Sequence, residues 1–347
     1  MRVLVTGHHG YIGSVLAPYL AAAGHDVEGL DTQLYRGCDF GVDASSVSDR
    51  IADVRDIEPA DVAGFDAIVH LAALSNDPLG DLRPGLTEDV NRDGTLVVAR
   101  AARDAGVRRF VFASSCSMYG ASGTETALDE QAPLRPLTAY ADSKVRAEEE
   151  LFELTDPDFA PVSMRNATVF GASPRLRLDI VLNNLAAWAH TTGRIRLLSD
   201  GTAWRPMVHV RDVAKVADAL LEAPEDLIRG EAFNVGSEEQ NYVVRELADI
   251  VSEVTGCVVE IAEGSSADQR SYRVDFAKLE RTFPELAFEW DAERGARELV
   301  DAYRSVGLTS DDFEGNRYIR IRRLLSLLDD GKLGDDLRWR SPLSSTP

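Results

Sequence analysis

The chain has 347 residues, 44% of them hydrophobic, which suits one large α/β domain with a smaller appended lobe. Its 37 Lys and Arg against 58 Asp and Glu leave a net charge of −21, which argues against nucleic acid or an anionic membrane as a partner. An anionic small molecule would need a local cluster of arginines or backbone N–H groups. The three cysteines, Cys38, Cys116 and Cys257, match no metal-ligand spacing and read as small buried side chains in a reducing compartment. The chain enters a strand at once and carries no run near the roughly 18 apolar residues of a membrane span. A soluble, cytoplasmic protein is expected.

Taken in order, residues 3–5 form a strand and residues 11–23 a helix. Strands follow at 26–31 and 66–71, then a helical apolar stripe over 89–105. Residues 109–113 make a strand, 139–154 a charged helix and 161–168 a further strand. Strands apolar on both faces, alternating with helices, predict a Rossmann-type doubly wound parallel sheet. The pattern loosens after Gly171. Residues 211–222 and 233–236 look like a return to the sheet. The expected division is a dinucleotide domain over 1–170, rejoined by 208–236, with a C-terminal substrate-binding lobe from 171–207 and 237–306. A helical extension over 307–347 carries Arg317, Arg320, Arg322 and Arg323. It reads as a solvated face or one docked on the acidic body, with closure over a ligand as the sharper alternative.

The turn Gly7-His8-His9-Gly10-Tyr11-Ile12-Gly13 lies between the first strand and the first helix. Gly7 permits the tight turn, Gly10 lets the backbone approach a pyrophosphate, and Gly13 allows close helix–strand packing. Tyr11 and Ile12 complete this cofactor-binding turn. Asp31 ends the second strand, 18 residues after Gly13, where a carboxylate accepts from ribose hydroxyls and repels a 2′-phosphate. NAD is therefore expected over NADP, with nearby Arg36 the one residue arguing the other way. Asp53 and Val54 fall where the adenine should lie, although Asp53 also reads as a turn or helix cap. Adjacent His8 and His9 should point in different directions, and no third ligand is evident, so no metal is expected. His70, ending a strand, reads as structural.

Tyr140 and Lys144 are four residues apart on one predicted helix, and so share a face. A neighbouring ammonium lowers the pKa of a phenol, ordinarily about 10, toward that of a useful general base. Ser115, just after the strand 109–113, can hold the substrate hydroxyl or the developing oxyanion. Ser115, Tyr140 and Lys144 form the candidate catalytic set.

These segments resemble the extended short-chain dehydrogenase/reductase family, in its nucleotide-sugar epimerase/dehydratase branch. The resemblance rests on Thr6–Gly13, His70-Leu71-Ala72-Ala73, Asn91, Ser114–Gly120, Tyr140–Lys144, Asn183-Asn184-Leu185, Arg205–Asp212 and Phe233–Gly236. It implies that Leu71, Ala72 and Ala73 pass the cofactor, that Asn91 supports the active site, and that Lys144 also holds the nicotinamide ribose. Asn183 or Asn184, with Arg205 and Arg270 (in Asp268–Arg273), would bind the diphosphate of a nucleotide sugar, since arginine pairs bidentately with phosphate. Ser117 and Asn166 complete the implied substrate set. A homodimer through the helices near 89–105 and 140–154 is also implied.

The resemblance further orders the reactions. Family dehydratases carry an acidic pair where this chain has Cys116-Ser117, and decarboxylating relatives usually carry a glutamate there. Family 3,5-epimerases place a cysteine at the position of Ser117. A 4-epimerase acting on a hexose or heptose through a 4-keto intermediate is the expected activity. A nucleotide-sugar reductase or dehydrogenase that releases its cofactor is the alternative, and a non-catalytic NAD-sensing protein a more distant one. Thr168 stands where the usual 4-epimerase has Asn, which points away from the commonest sugars.

Overall fold

A computed structural model describes residues 1–41, 47–75, 83–120, 123–262 and 270–343. Asp268 and Gln269 of the Arg270 segment lie outside the described residues. Seven parallel strands form the main sheet: β1 (Arg2–Thr6), β2 (Asp26–Asp31), β3 (Ser48–Ile51), β4 (Ala67–His70), β5 (Arg109–Ser115), and the strands Ala160–Asn166 and Glu231–Val235. The last two lie beyond β5, and the order runs Glu231–Val235, Ala160–Asn166, β5, β4, β1, β2, β3. The sheet is the one expected, and order reverses between β1 and β4. That switch point opens a crevice at the carboxyl ends of the strands.

The strands are apolar on both faces because helices cover both. Val3 and Val5 face a core built with Leu16 and Leu20 of the first helix (Gly13–Ala22) and with Val213 and Val216 of the helix Val210–Glu222. Leu4 faces the other way, into Val98 and Ala102 of the helix Gly94–Asp104 and Ala147 and Leu151 of the helix Ala139–Glu153. A separate core joins the helices Val181–Thr192, Val244–Thr255 and Ala292–Val306 beyond the mouth of the crevice.

Three local readings need correction. The helix expected over 11–23 starts at Gly13, because Tyr11 and Ile12 belong to the glycine turn. The stripe over 89–105 is interrupted: Asp89–Asp93 forms a wider turn before the regular helix begins at Gly94. Asn91 falls in that turn, a common site for functional side chains. The strand expected over 161–168 ends at Asn166. Thr168–Phe170 belongs instead to a small sheet with Trp204–His209 and Asn241–Val243.

The helix Ala139–Glu153 carries Tyr140 and Lys144. Thr138 caps it, its hydroxyl accepting from the Ala141 amide at 3.2 Å, with Asp142 in the favourable first turn. One turn past Lys144, Glu148 locks the helix to the strand Ala160–Asn166. Its Oε1 accepts from Arg165 Nη2 at 2.6 Å and Nε at 3.0 Å, with both side chains more than nine-tenths buried. Removing one partner strands the other charge in a low-dielectric interior. Glu148→Ala should therefore lower unfolding free energy by about 3–5 kcal/mol in urea titrations. The exposed neighbour change Glu149→Ala should cost no more than about 0.5 kcal/mol.

Candidate active site

The turn after β1 is built for close approach. Gly7 has φ +73°, and a Cβ there would meet the Ala72 amide nitrogen at 2.7 Å. A Cβ on Gly13 would lie 2.3 Å from the Gly7 carbonyl oxygen. Only glycine keeps this turn against the loop after β4 and leaves the first amides of the helix open to an anion. Asp31 is held in place rather than loose: its Oδ2 accepts from the His9 amide at 3.1 Å and its Oδ1 from the Gln33 amide at 2.6 Å. Gly7, Gly10, Tyr11, Ile12, Gly13, Asp31, Asp53, Val54, Leu71, Ala72 and Ala73 all line one cavity of about 930 Å³. A dinucleotide fits these residues: a cradle without side chains, helix amides for its pyrophosphate, and a fixed carboxylate for its ribose.

Asp53 has a structural part as well as a place in the cavity wall. It lines the cavity, and it also caps the short turn Val54–Asp56 through the Arg55 amide and pairs with the Arg55 guanidinium at 2.6 Å. His8 and His9 do not diverge as expected. In a turn, neighbouring residues are freed from strand alternation, and the two rings lie 4.0 Å apart. Asp49 is the third possible ligand that sequence reasoning missed, with ligand atoms of the three within 4.8 Å of one another.

Ser115, Tyr140 and Lys144 line the same cavity. Lys144 is 2% exposed; its Nζ donates to the Ala113 carbonyl at 2.8 Å and sits 4.5 Å from the centre of the Phe112 ring. Burial pulls its pKa down from the ordinary lysine value to about 7, and the Glu148 carboxylate opposes that fall. Ser115 Oγ accepts from the Ser117 amide at 3.2 Å and lies 2.9 Å from Ser117 Oγ, so the two hydroxyls work as one wall. Asn91 is buried behind them. Its amide bonds both backbone groups of Leu74 and the Ser143 hydroxyl, tying the loop after β4 to the helix of Tyr140 and Lys144.

His70 is structural, as read. Thr95 gives its hydroxyl proton to the Asn91 carbonyl and so accepts from His70 Nε2, which leaves His70 Nδ1 to accept from Thr6. Burial and the Lys144 charge hold its pKa down near about 3, so the ring is neutral.

Residues 3–236 match the NAD dependent epimerase/dehydratase family. The chain belongs to that family. Among curated relatives, UDP-glucose 4-epimerase of Mycolicibacterium smegmatis is 33% identical, over 74% of this chain and 83% of the relative. The Bacillus subtilis UDP-glucose 4-epimerase is 28% identical, over 88% and 96%. Among solved structures, a UDP-glucose-4-epimerase from Stenotrophomonas maltophila with bound NAD and formylated UDP-arabinopyranose has TM-score 0.77 and 26% identity. The match covers 88% of this chain and 99% of that one. The Thermus thermophilus UDP-glucose 4-epimerase complex with NAD has TM-score 0.74 and 28% identity, with the same coverage. NAD is the cofactor of this family member.

The epimerase/dehydratase site continues toward the lobe. Ser117, Asn166, Asn184, Arg205 and Arg270 line the same cavity as Tyr140. Asn166 is 5% exposed and its Oδ1 has no partner among the described residues, an open acceptor in the wall. Arg205 Nη1 donates to the Arg270 backbone carbonyl, which fixes the two arginines side by side. Asn183 is different: fully buried, it bonds Gly171 N–H, the Tyr11 hydroxyl and the Arg177 carbonyl, and it supports the wall from behind. Cys116 is also behind the wall, with Sγ donating to the Arg165 carbonyl and burial pushing the thiol pKa well up. Cys38 is buried too, but Cys257 is only half-buried.

Sequence reasoning missed Tyr35, Arg177, Arg196 and the cavity-lining part of the C-terminal extension, Ile319, Arg320 and Leu337. Only the arginine run of that extension gave a signal.

The Lys144 shift has a checkable sign. Between about pH 7 and the ordinary lysine range, the unfolded chain holds a proton that the cofactor-free fold has lost, so stability rises with pH. Below that window both states are protonated and the slope disappears. In cofactor-free protein, urea unfolding from about pH 7 to about pH 10 should show this rise in wild type and lose it in Lys144→Met.

Proposed function

We propose that the protein is a nucleotide-sugar 4-epimerase, inverting C4 of an NDP-hexose or NDP-heptose through a transient 4-keto sugar. The observation that carries this reading is the wall beside Tyr140 and Lys144. Ser115, Ser117, Asn166 and Thr168 line it, hydroxyls and an amide without a carboxylate. Among the described residues, the carboxylates lining the cavity are Asp31, Asp53 and Asp179. Asp53 is engaged by Arg55 and Asp179 by Arg177. Eliminating water would need a further acid and base at the sugar, and this wall supplies hydrogen bonds only. Curated relatives named UDP-glucose 4-epimerase support the same reading.

Tyr140 takes the proton of the C4 hydroxyl as base and returns it as acid. The Lys144 ammonium on the same helical face favours the phenolate. Ser115 holds the C4 oxygen while it changes from hydroxyl to carbonyl, and its partner Ser117 keeps that hydroxyl oriented. NAD held by the Gly7–Gly13 turn and Asp31 would supply the hydride acceptor for C4 and the source of its return. Asn184, Arg205 and Arg270 grip the nucleotide diphosphate at the cavity's other end. The sugar itself is therefore free to turn and present its opposite face. The arginines supply locally the positive charge that a chain of net charge −21 lacks.

Incubation with a panel of nucleotide hexoses and heptoses, followed by NMR, should reveal inversion at C4 of one of them without added NAD. Tyr140→Phe should lower that turnover by about 10²–10⁴-fold, the usual worth of a general acid/base, while NAD still co-purifies. Stoichiometric consumption of added NAD with no C4 inversion would instead identify a dehydrogenase.

A further inference from the structure

The C-terminal extension crosses the cofactor half of the crevice. Arg323 Nη2 donates to the Arg36 carbonyl at 2.8 Å, Trp339 Nε1 to the Thr32 carbonyl at 2.7 Å, and Arg55 Nη1 to the Asp336 carbonyl at 3.0 Å. Arg338 pairs with Asp56. Leu324, Leu327, Leu333 and Leu337 form one apolar cluster with Leu34 and Leu74, from the loops after β2 and β4. Leu337 has φ +58°, a strained backbone for a leucine, and lines the cavity beside Asp53 and Val54.

Arg320 opens the helix Arg320–Asp329 and is 4% exposed. Its Nη2 donates to the Arg175 carbonyl at 2.9 Å and its guanidinium lies 3.9 Å from the centre of the Tyr35 ring. Its Nη1 is buried with no partner among the described residues. Burial lowers the pKa of this group below the ordinary arginine range, so its charge is under-compensated. Arg177, also in the wall, differs. Its nitrogens are taken up by Asp179, Ser75 Oγ and the Ser75 carbonyl.

The tethers of Arg320 locate the missing partner. The Arg175 amide, whose carbonyl accepts from Arg320, donates to Ser173 Oγ, and Ser173 Oγ donates to the Tyr11 carbonyl in the glycine turn. Through the Tyr35 ring, Arg320 also touches the loop that follows Asp31. Arg320 therefore lines the cavity between the carboxylate Asp31 and the glycine turn. In a dinucleotide bound with its adenosine at Asp31, that interval holds the pyrophosphate. We propose that Arg320 pairs with the cofactor pyrophosphate and that Leu337 covers the adenosine end, so that the C-terminal extension is part of the NAD site. The proposal is independent of which sugar reacts.

Calorimetry on cofactor-free protein with ADP-ribose and with UDP tests it. Arg320→Met should weaken ADP-ribose binding about thirtyfold or more, the usual effect of removing one partner of a buried charged pair, and leave UDP binding unchanged. Arg320→Lys, which keeps the charge and risks the fold less, should show the same order with a smaller loss. Leu337→Asp should also weaken ADP-ribose and not UDP. Unchanged ADP-ribose binding in the folded Arg320 variants would overturn the proposal. So would a loss for UDP alone, which would assign Arg320 to the substrate diphosphate.

Discussion

The candidate site is arranged around one desolvated amine, whose pKa burial pulls down to about 7. Lys144 is placed where burial works against its ammonium, and it is kept there by the Ala113 carbonyl, the face of Phe112 and the field of Glu148. In its protonated form, an ammonium stripped of water would act on a nearby phenol far more strongly than a solvated one. Much of the surrounding framework keeps that arrangement rigid. Glu148 binds Arg165, Arg165 binds Tyr119, and Tyr119 binds Asn234, linking the helix of Tyr140 and Lys144 to two outer strands of the sheet. On the other side, Asn91 and Ser143 join the same helix to the loop after β4. The fold thus spends buried polar groups, each with partners, on the orientation of one helix.

Charge is organised locally against its global sign. The acidic surface repels anions at long range, while arginines on the cavity wall face the site. Arg177, Arg205, Arg270 and Arg320 all line that cavity. Arg320 arrives from the far C-terminus, so the site draws on almost the whole length of the chain.

The doubly wound sheet was legible in the sequence because both periodicity and strand-end chemistry agree there. A glycine turn follows β1 and a carboxylate ends β2, and these features depend only on neighbours in the chain. The Tyr140–Lys144 pair was legible for the same reason: helical spacing alone puts both on one face. What escaped depended on long-range contact. The pairing of His8 with His9 and Asp49 needs β3 beside the turn. The roles of Asn183 and Asn184 separate only once Tyr11 and Gly171 close around the former. Nothing local distinguishes Arg320 from Arg322, because only docking buries the first and leaves the second at the surface.

Reversible oxidation at a single carbon, with the cofactor retained, is the central claim. It is tested most directly with deuterium at C4 of the nucleotide sugar that the enzyme turns over. The account predicts that the inverted product keeps its deuterium at C4 and gains no hydrogen from solvent. Deuterium lost from C4, to solvent or to a released cofactor, would contradict it.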